Sequence, residues 1–504
     1  MTSAPTPPVP DSDLLAHLRV DLHAAGFTVD GVEERLGTVA ARALRRDHAL
    51  PAARALAGDD PLAVIVRLFC LNHAIDTDVV ERALPTVGVA GLVGLGLVAA
   101  EGAAVRATCD LRPHACDSAG WWLASDLPES AVGGPLPQDH VLGIGGASTT
   151  LATWTPRLPV ARALDVGTGC GVQSLHLSQH AEHVVATDLS ARALGYAAFN
   201  AALNGTSWEL RAGSMLEPVA GETFDLIVSN PPFVITPRAA GVPLYEYRDG
   251  GRSGDAVVAD LVRRVGAHLA PGGIAQLLGN WEIVGDDEDA WRTKVASWVE
   301  GTGLDAWVVQ RETQDPAEYA ETWVRDGGQQ PGTRAHEQLY GAWLDDFASR
   351  GVSAIGFGII TVQRPDRERA TFVDLVEVTG PVAQPMGPAV LAGLRARTWL
   401  AERTDDEVLD TAWRCADDVT EERHSRPGDT DPSVIVIRQG GGLRRAIRVD
   451  TLGAALLSVC DGELTARQAI VAIAGLLDLD ASVGLADGVT LVRDLSADGL
   501  LLAN

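Results

Sequence analysis

The feature that most constrains this chain is an alternation that runs from residue 140 to about 375. Near-continuous apolar runs, "ARALDVG", "HVVATDL", "SWELRAG", "FDLIVSN", "GIAQLLG", "DAWVVQR" and "IGFGIITVQR", are separated by segments of helical period such as "SARALGYAAFNAALN" and "GDAVVADLVRRVGAHLA". Runs without a polar face suit strands covered on both sides, and strand–helix alternation suits a sheet wound by helices. The pattern predicts a doubly wound, Rossmann-like α/β sheet over 135–375.

The flanks read differently. In 1–134, "DLLAHLRVDLHAAGF" and "DTDVVERAL" have helical spacing, and "DDPLAVIVRLFCLNHA" offers Asp60 as N-cap with Pro61 at N1. "GLVAAEGAAVRATCDLRPH" reads as two strands about the Glu101-Gly102 turn. Helices followed by a hairpin predict a winged-helix-like α+β unit. "DLPESAVGGPLPQD" (126–139) reads as a linker. In 376–504, "GPAVLAGLRARTWLAE" is helical, Thr404 and Glu407 have capping-box spacing, and "SVIVIRQGGGLRRAIRVD" is a hairpin. The "DGELT" and "DGLLL" stretches that follow resemble the small PqqD-like winged-helix domains. Those domains dock peptides, so the likeness implies a protein-binding role for the C-terminal unit.

Charge narrows the partners. Asp plus Glu outnumber Arg plus Lys by 17 to 10 in 1–134, 30 to 18 in 135–375 and 20 to 12 in 376–504. No segment is a basic platform for a phosphate backbone, which lowers the weight of a nucleic-acid substrate without removing it. The six cysteines are scattered with no CxxC pair, as in a reducing compartment. "CDLRPHAC", with Cys109, His114 and Cys116, lacks a fourth metal ligand nearby and is read as structural; no metal is expected. "GDDEDAW" (285–291) is read as an acidic helix start. "MTSAPTPPVP" lacks the basic and apolar regions of a signal peptide, and glycines and Pro85 break the uncharged stretch between Arg82 and Glu101. A soluble cytoplasmic protein with no membrane contact is expected.

"LDVGTGCGV" (164–172) follows one strand and opens a helix. Gly167, Gly169 and Gly171 permit a tight turn and close approach to a ligand. Asp188 ends the next strand, 17 residues after Gly171, where an acid can accept both ribose hydroxyls of an adenosine. NAD and S-adenosylmethionine both fit so far. The dinucleotide fingerprint needs Gly or Ala where this chain has Val172, and Asp165 is placed to bind a methionine ammonium. Both points favour S-adenosylmethionine. Thr168 and Leu189 join the predicted cofactor site.

"SNPPF" (229–233) ends the fourth run of the domain. Two prolines remove donors, end the ladder and fix the backbone before them. Asn230 and Pro231 can then offer a side-chain oxygen and a carbonyl to the two hydrogens of a planar NH2 group. That grip turns a delocalised lone pair toward a methyl donor. Pro232 stiffens the turn, and Phe233 is predicted to stack on the planar group.

Together "LDVGTGCG", "ATDLS" and "NPPF" resemble the class I S-adenosylmethionine-dependent methyltransferases that modify amino nitrogens. "SNPPFVITP" and "DGGRSG" (249–254) are similar to the HemK-like glutamine N5-methyltransferases. The resemblance covers about residues 150 to 300 and implies methyl transfer to a protein glutamine amide, of release-factor or ribosomal-protein type. Phe233 stands where that family has Tyr; Phe occurs in ribosomal-RNA guanine and adenine methyltransferases. Ser214 stands where many relatives have an acid for the adenine amino group; the resemblance implies that Ser214 or the Met215 backbone takes that role, with Asn230 as a further cofactor contact. An rRNA or DNA base amine therefore stays open as substrate. "GGQ" (327–329), the tripeptide that such enzymes methylate in release factors, reads here as a turn.

Overall fold

The computed structural model describes residues 6–503, apart from 47, 117, 133–135, 239–241, 288, 330 and 430. The central sheet holds β1 (Val160–Val166), β2 (Ala181–Asp188), β3 (Glu209–Ala212), β4 (Phe224–Ser229), β5 (Leu269–Val284), β6 (Asp305–Gln314), β7 (Val352–Gln363) and β8 (Val373–Glu377). Their order is β8-β6-β7-β5-β4-β1-β2-β3. All seven predicted strands form; β8 is an addition at the edge.

Neighbours from β1 to β5 are parallel. β7 runs antiparallel to both β5 and β6, and β8 runs parallel to β6. The sheet is therefore mixed. Between β6 and β7 lie two helices, Pro316–Asp326 and Arg334–Ser349. One helix carries a chain back to start a parallel strand, whereas two return it to the edge it left. β6 and β7 are thus a hairpin with a helix pair at its tip, on the edge where β1 and β4 end.

Helices α1 (Gly146–Trp154), α2 (Val172–Leu177) and α3 (Ala191–Leu203) cover one face of the sheet, while α4 (Ala256–Val265) and α5 (Ala290–Val299) cover the other; the pair at the hairpin tip is α6 (Pro316–Asp326) and α7 (Arg334–Ser349). Side chains alternate between the two cores: Leu226 and Val228 join one, Ile227 the other. α5 starts at Ala290, directly after the acidic stretch as expected, with Asp289 at the N-cap position but making no side-chain cap hydrogen bond.

The first core does not stop at the domain edges. It runs from Leu15 in the N-terminal helices through Ala163 and Val228 to Val390 and Leu443 in the C-terminal part. Asp60 caps the helix Pro61–Ile65 as predicted. The expected hairpin forms from Val98–Glu101 and Ala104–Ala107, with Ile75–Asp76 as a third strand. "DLRPH" does not extend it. Instead Asp110–Cys116 pairs with Ala119–Ser125 in a second hairpin that lies on α3. There Asn200 Oδ1 accepts from the Ala124 amide at 2.8 Å, and its Nδ2 donates to the carbonyls of Ala124 and Cys170, both at 2.8 Å.

Segment 126–139 is not a free linker at either end. Asp126 is buried and accepts from Arg192 Nε at 2.9 Å, Tyr196 Oη at 2.7 Å and the Val141 amide at 2.8 Å. Turn-forming composition concealed this, because one acid satisfies donors brought from α3 and from the chain at Val141. In the C-terminal part the Thr404–Glu407 capping box and the hairpin Val434–Gln439/Ala446–Val449 form as expected. No described helix is long and apolar enough to cross a membrane.

Candidate active site

Strand order reverses at β1, which has β2 on one side and β4 on the other. Ligands of open α/β sheets bind outside the carboxyl ends at such a reversal. Val166 pairs with Ser229, and Ser229 Oγ donates to the Val166 carbonyl at 2.8 Å. The glycine turn and the SNPPF stretch therefore leave the sheet side by side.

The turn needs its glycines. Gly167, Gly169 and Gly171 have φ of 73°, 56° and 92°. At Gly171 a Cβ would also lie 2.5 Å from the Trp208 ring. Asp188 holds the turn: one carboxylate oxygen accepts from the Gly169 amide at 2.9 Å, the other from the Ser190 amide at 2.8 Å. It is not the cap of α3; Ser190 is. Burial raises the Asp188 pKa. Beneath the turn, Asp165 Oδ2 accepts from Thr168 Oγ1 and Ser174 Oγ, both at 2.7 Å. Burial pushes the Asp165 carboxyl up to about 6 against those hydrogen bonds. Its Oδ1 has no partner among the described residues.

A cavity of about 320 Å³ opens over these loops. Gly167, Thr168, Gly169, Asp188, Leu189, Ser214, Met215, Asn230 and Pro232 line it. Leu189 is 70% exposed, an apolar side chain at the mouth that suits a planar ring. Met215 holds a φ of 51°, and its carbonyl accepts from Thr187 Oγ1 at 3.1 Å, which fixes the loop after β3.

Four predicted site residues do not line the cavity. Asp165 lies below its floor, and Gly171 lies behind the turn against Trp208. Pro231 is buried. Phe233 corrects the stacking expectation: its ring meets Trp323 edge-on at 6.4 Å, and Pro232 takes the cavity wall instead. The reason is tertiary. The helix pair at the β6–β7 tip offers Phe233, Val234 and Ile235 an aromatic core of Tyr319, Trp343 and Phe347. Tyr319 Oη accepts from the Ile235 amide at 2.9 Å and from Asn280 Nδ2 at 2.7 Å.

The segment after SNPPF returns over the cavity. Val234 N donates to the Arg248 carbonyl at 2.9 Å, and Phe233 bridges Asp249. Tyr247, Asp249 and Gly250 thereby join the lining, together with His140 from the far end of the supposed linker. Sequence reasoning named "DGGRSG" but gave Asp249 no role, and it missed His140 and Tyr247, which no local pattern marks. "GGQ" begins in the turn that ends α6, where Tyr245 Oη donates to the Gly327 carbonyl at 3.2 Å.

Cations do not converge on the cavity. Its two lining arginines, Arg252 and Arg264, both pair with Asp260, at 3.5 and 3.3 Å. Arg45 pairs with Glu33, and neither it, Arg42 nor Arg46 lines the cavity. Among the described residues no group of three His, Cys, Asp or Glu is placed to hold a metal. His114 instead meets His176, with ring nitrogens 2.9 Å apart.

The stretch from 144 to 284 contains the glycine turn, Asp188 and SNPPF, and it matches the family model described as "Methyltransferase small domain". This part of the chain is a methyltransferase domain. The methyltransferase domain is 42% identical over 126 residues to a release factor glutamine methyltransferase of Deinococcus radiodurans, covering 23% of this chain and 45% of that one. It is 32% identical over 137 residues to a ribosomal RNA small subunit methyltransferase C of an Enterobacter species, covering 27% and 35%. The chain thus spans less than half the length of these relatives. A solved methyltransferase from Pyrococcus furiosus overlaps 44% of this chain and 82% of its own at 17% identity, with a TM-score of 0.27. Outside the methyltransferase domain, residues 24–108 and 392–503 match two models described as domains of unknown function, DUF7059 and DUF7782.

The residues around the cavity fit S-adenosylmethionine, the methyl donor of such domains. The turn keeps three glycines at positive φ, Asp165 keeps one buried oxygen without a donor, and Leu189 and Met215 offer apolar cover.

Proposed function

We propose that this chain is an S-adenosylmethionine-dependent N-methyltransferase acting on a planar amino nitrogen, with a protein glutamine side-chain amide as its substrate. The observation that carries this reading is Asn230 Oδ1, a buried acceptor with no partner among the described residues, in a side chain on the cavity wall. A buried oxygen without a donor costs about 1–3 kcal/mol. An incoming N–H removes that cost.

Gly167, Thr168 and Gly169 would hold the amino-acid end of the cofactor, with the free Asp165 oxygen available to its ammonium. Asp188 would accept the ribose hydroxyls through its remaining lone pairs. Leu189, Ser214 and Met215 would enclose the adenine. The bound cofactor supplies an electrophilic methyl group. Asn230 Oδ1 takes one N–H group of the target and so fixes the direction of its lone pair; Pro231, buried outside the cavity lining, stiffens the turn that carries Asn230. The catalytic contribution of the chain is orientation and stabilisation of the positive charge that develops on nitrogen. Phe233 acts at a distance, by locking the backbone of the turn to Trp323.

A protein substrate is favoured by the ion-paired arginines of the cavity and by acidity in every segment. An rRNA or DNA base amine is the second reading, supported by Phe233 and by the likeness to the ribosomal RNA methyltransferases. Labelling a cell extract with methyl-tritiated S-adenosylmethionine decides between them. Label removed by protease is expected; label removed only by nuclease would replace the first reading with the second.

A further inference from the structure

The cavity wall contains a second unsatisfied acceptor. Asp249 lines the cavity, and its side chain is only 3% exposed. Its Oδ1 is used twice, accepting from Arg238 Nη2 at 2.7 Å and from the Gly251 amide at 2.9 Å. Its Oδ2 has no partner among the described residues. Of the lining residues, only Asn230 and Asp249 carry a buried side-chain atom in this condition, and both atoms are acceptors. The group that completes this wall is therefore a donor.

The placement of Asp249 is built, not incidental. Its backbone bridges Phe233, three residues after Asn230. Arg238 also donates to the Arg252 carbonyl at 2.8 Å, so one guanidinium ties the start of this segment to its end. That pairing also supplies the countercharge of Asp249. A neutral donor, rather than a second cation, then suits the remaining oxygen.

We propose that Asp249 is a substrate-positioning residue whose Oδ2 accepts a main-chain N–H of the substrate polypeptide beside the side chain being methylated. This rests on the reading of the chain as a protein amide methyltransferase. It assigns the acid of "DGGRSG" a contact with substrate, separate from the grip of Asn230 on the target nitrogen. A nucleic-acid phosphate presents no donor to such an oxygen.

The test uses the full chain and synthetic peptides with one glutamine, each lacking a single flanking main-chain N–H through N-methylation. For the wild type, N-methylation at one position is expected to lower kcat/KM by about 10- to 100-fold, chiefly through KM. Asp249→Ala should start from a reduced kcat/KM and be indifferent to that same position, with S-adenosylmethionine affinity unchanged. Asp249→Asn guards against misfolding: it keeps an oxygen for Arg238 and Gly251 and puts an NH2 where the acceptor was, so the same loss is expected. Equal discrimination by wild type and both variants would overturn the inference while leaving amide methylation intact. Methyl transfer to RNA with none to any peptide would overturn the functional reading, and the inference with it.

Discussion

At the scale of single residues, three side chains should separate binding from transfer. Asn230→Ala removes the unpartnered acceptor and nothing that holds the glycine turn. Turnover should fall at least about 100-fold, as for loss of a positioned polar group at a reacting centre. Cofactor affinity by calorimetry should stay within a few fold; unchanged turnover would sink the assignment. Gly171→Ala drives a Cβ to 2.5 Å from Trp208 at a φ of 92°, so about 1–3 kcal/mol of stability should be lost in denaturant titrations. Asp165 gives a pH dependence. Burial holds its carboxyl near 6, and the carboxylate is the form that pairs with an ammonium. Cofactor affinity should therefore be highest above pH 6 and fall as pH drops through it, by up to about tenfold per unit. Binding near pH 6 should release a proton, seen as a buffer-dependent heat, and Asp165→Asn should abolish both effects.

At the scale of elements, the β6–β7 hairpin tip supports the site from behind, packing on the residues after SNPPF without lining the cavity. Tyr319 joins α6 to β5 through Asn280 and to the residues after SNPPF through Ile235. Tyr319→Phe leaves the Ile235 amide buried without an acceptor, at a cost of about 1–3 kcal/mol. Because that amide lies just past the turn that carries Asn230, kcat should fall more than cofactor affinity does. Equal losses in both would mean that Tyr319 supports the fold alone. The sequence made the strands of this region legible, because each is an apolar run between turn formers. It could not show Phe233 rotating onto Trp323, since a half-buried aromatic after a strand is compatible with either side of the loop.

At the scale of the whole molecule, the methyltransferase domain shares one apolar core with its N-terminal flank. One apolar core runs from Leu15 through Ala163 to Leu443, and Asn200 joins the second hairpin to both α3 and the glycine turn. A fragment limited to 135–375 would expose that core. It should be recovered as aggregate or fail to bind S-adenosylmethionine, whereas the full chain binds it; a soluble, cofactor-binding fragment would contradict the continuity. On the other flank, Arg397 lies 4.0 Å over the Trp307 ring and donates to Asp374 at 2.7 Å, fastening β8 to the C-terminal part.

The sequence by itself determined seven of the eight strands of the sheet, the glycine turn with Asp188 and the position of Asn230 at a strand end. These depend on short-range periodicity and on glycine and proline, whose backbone limits are local. Only the tertiary structure decided that Asp126 and His140 are fixed in place, that Pro232 rather than Phe233 meets the cavity, and that Asp249 returns to bridge Phe233 and line the same cavity as Asn230, with one oxygen lacking a partner among the described residues. Those outcomes depend on which distant donor, ring or acceptor reaches each group. Such pairings leave no mark on spacing along the chain.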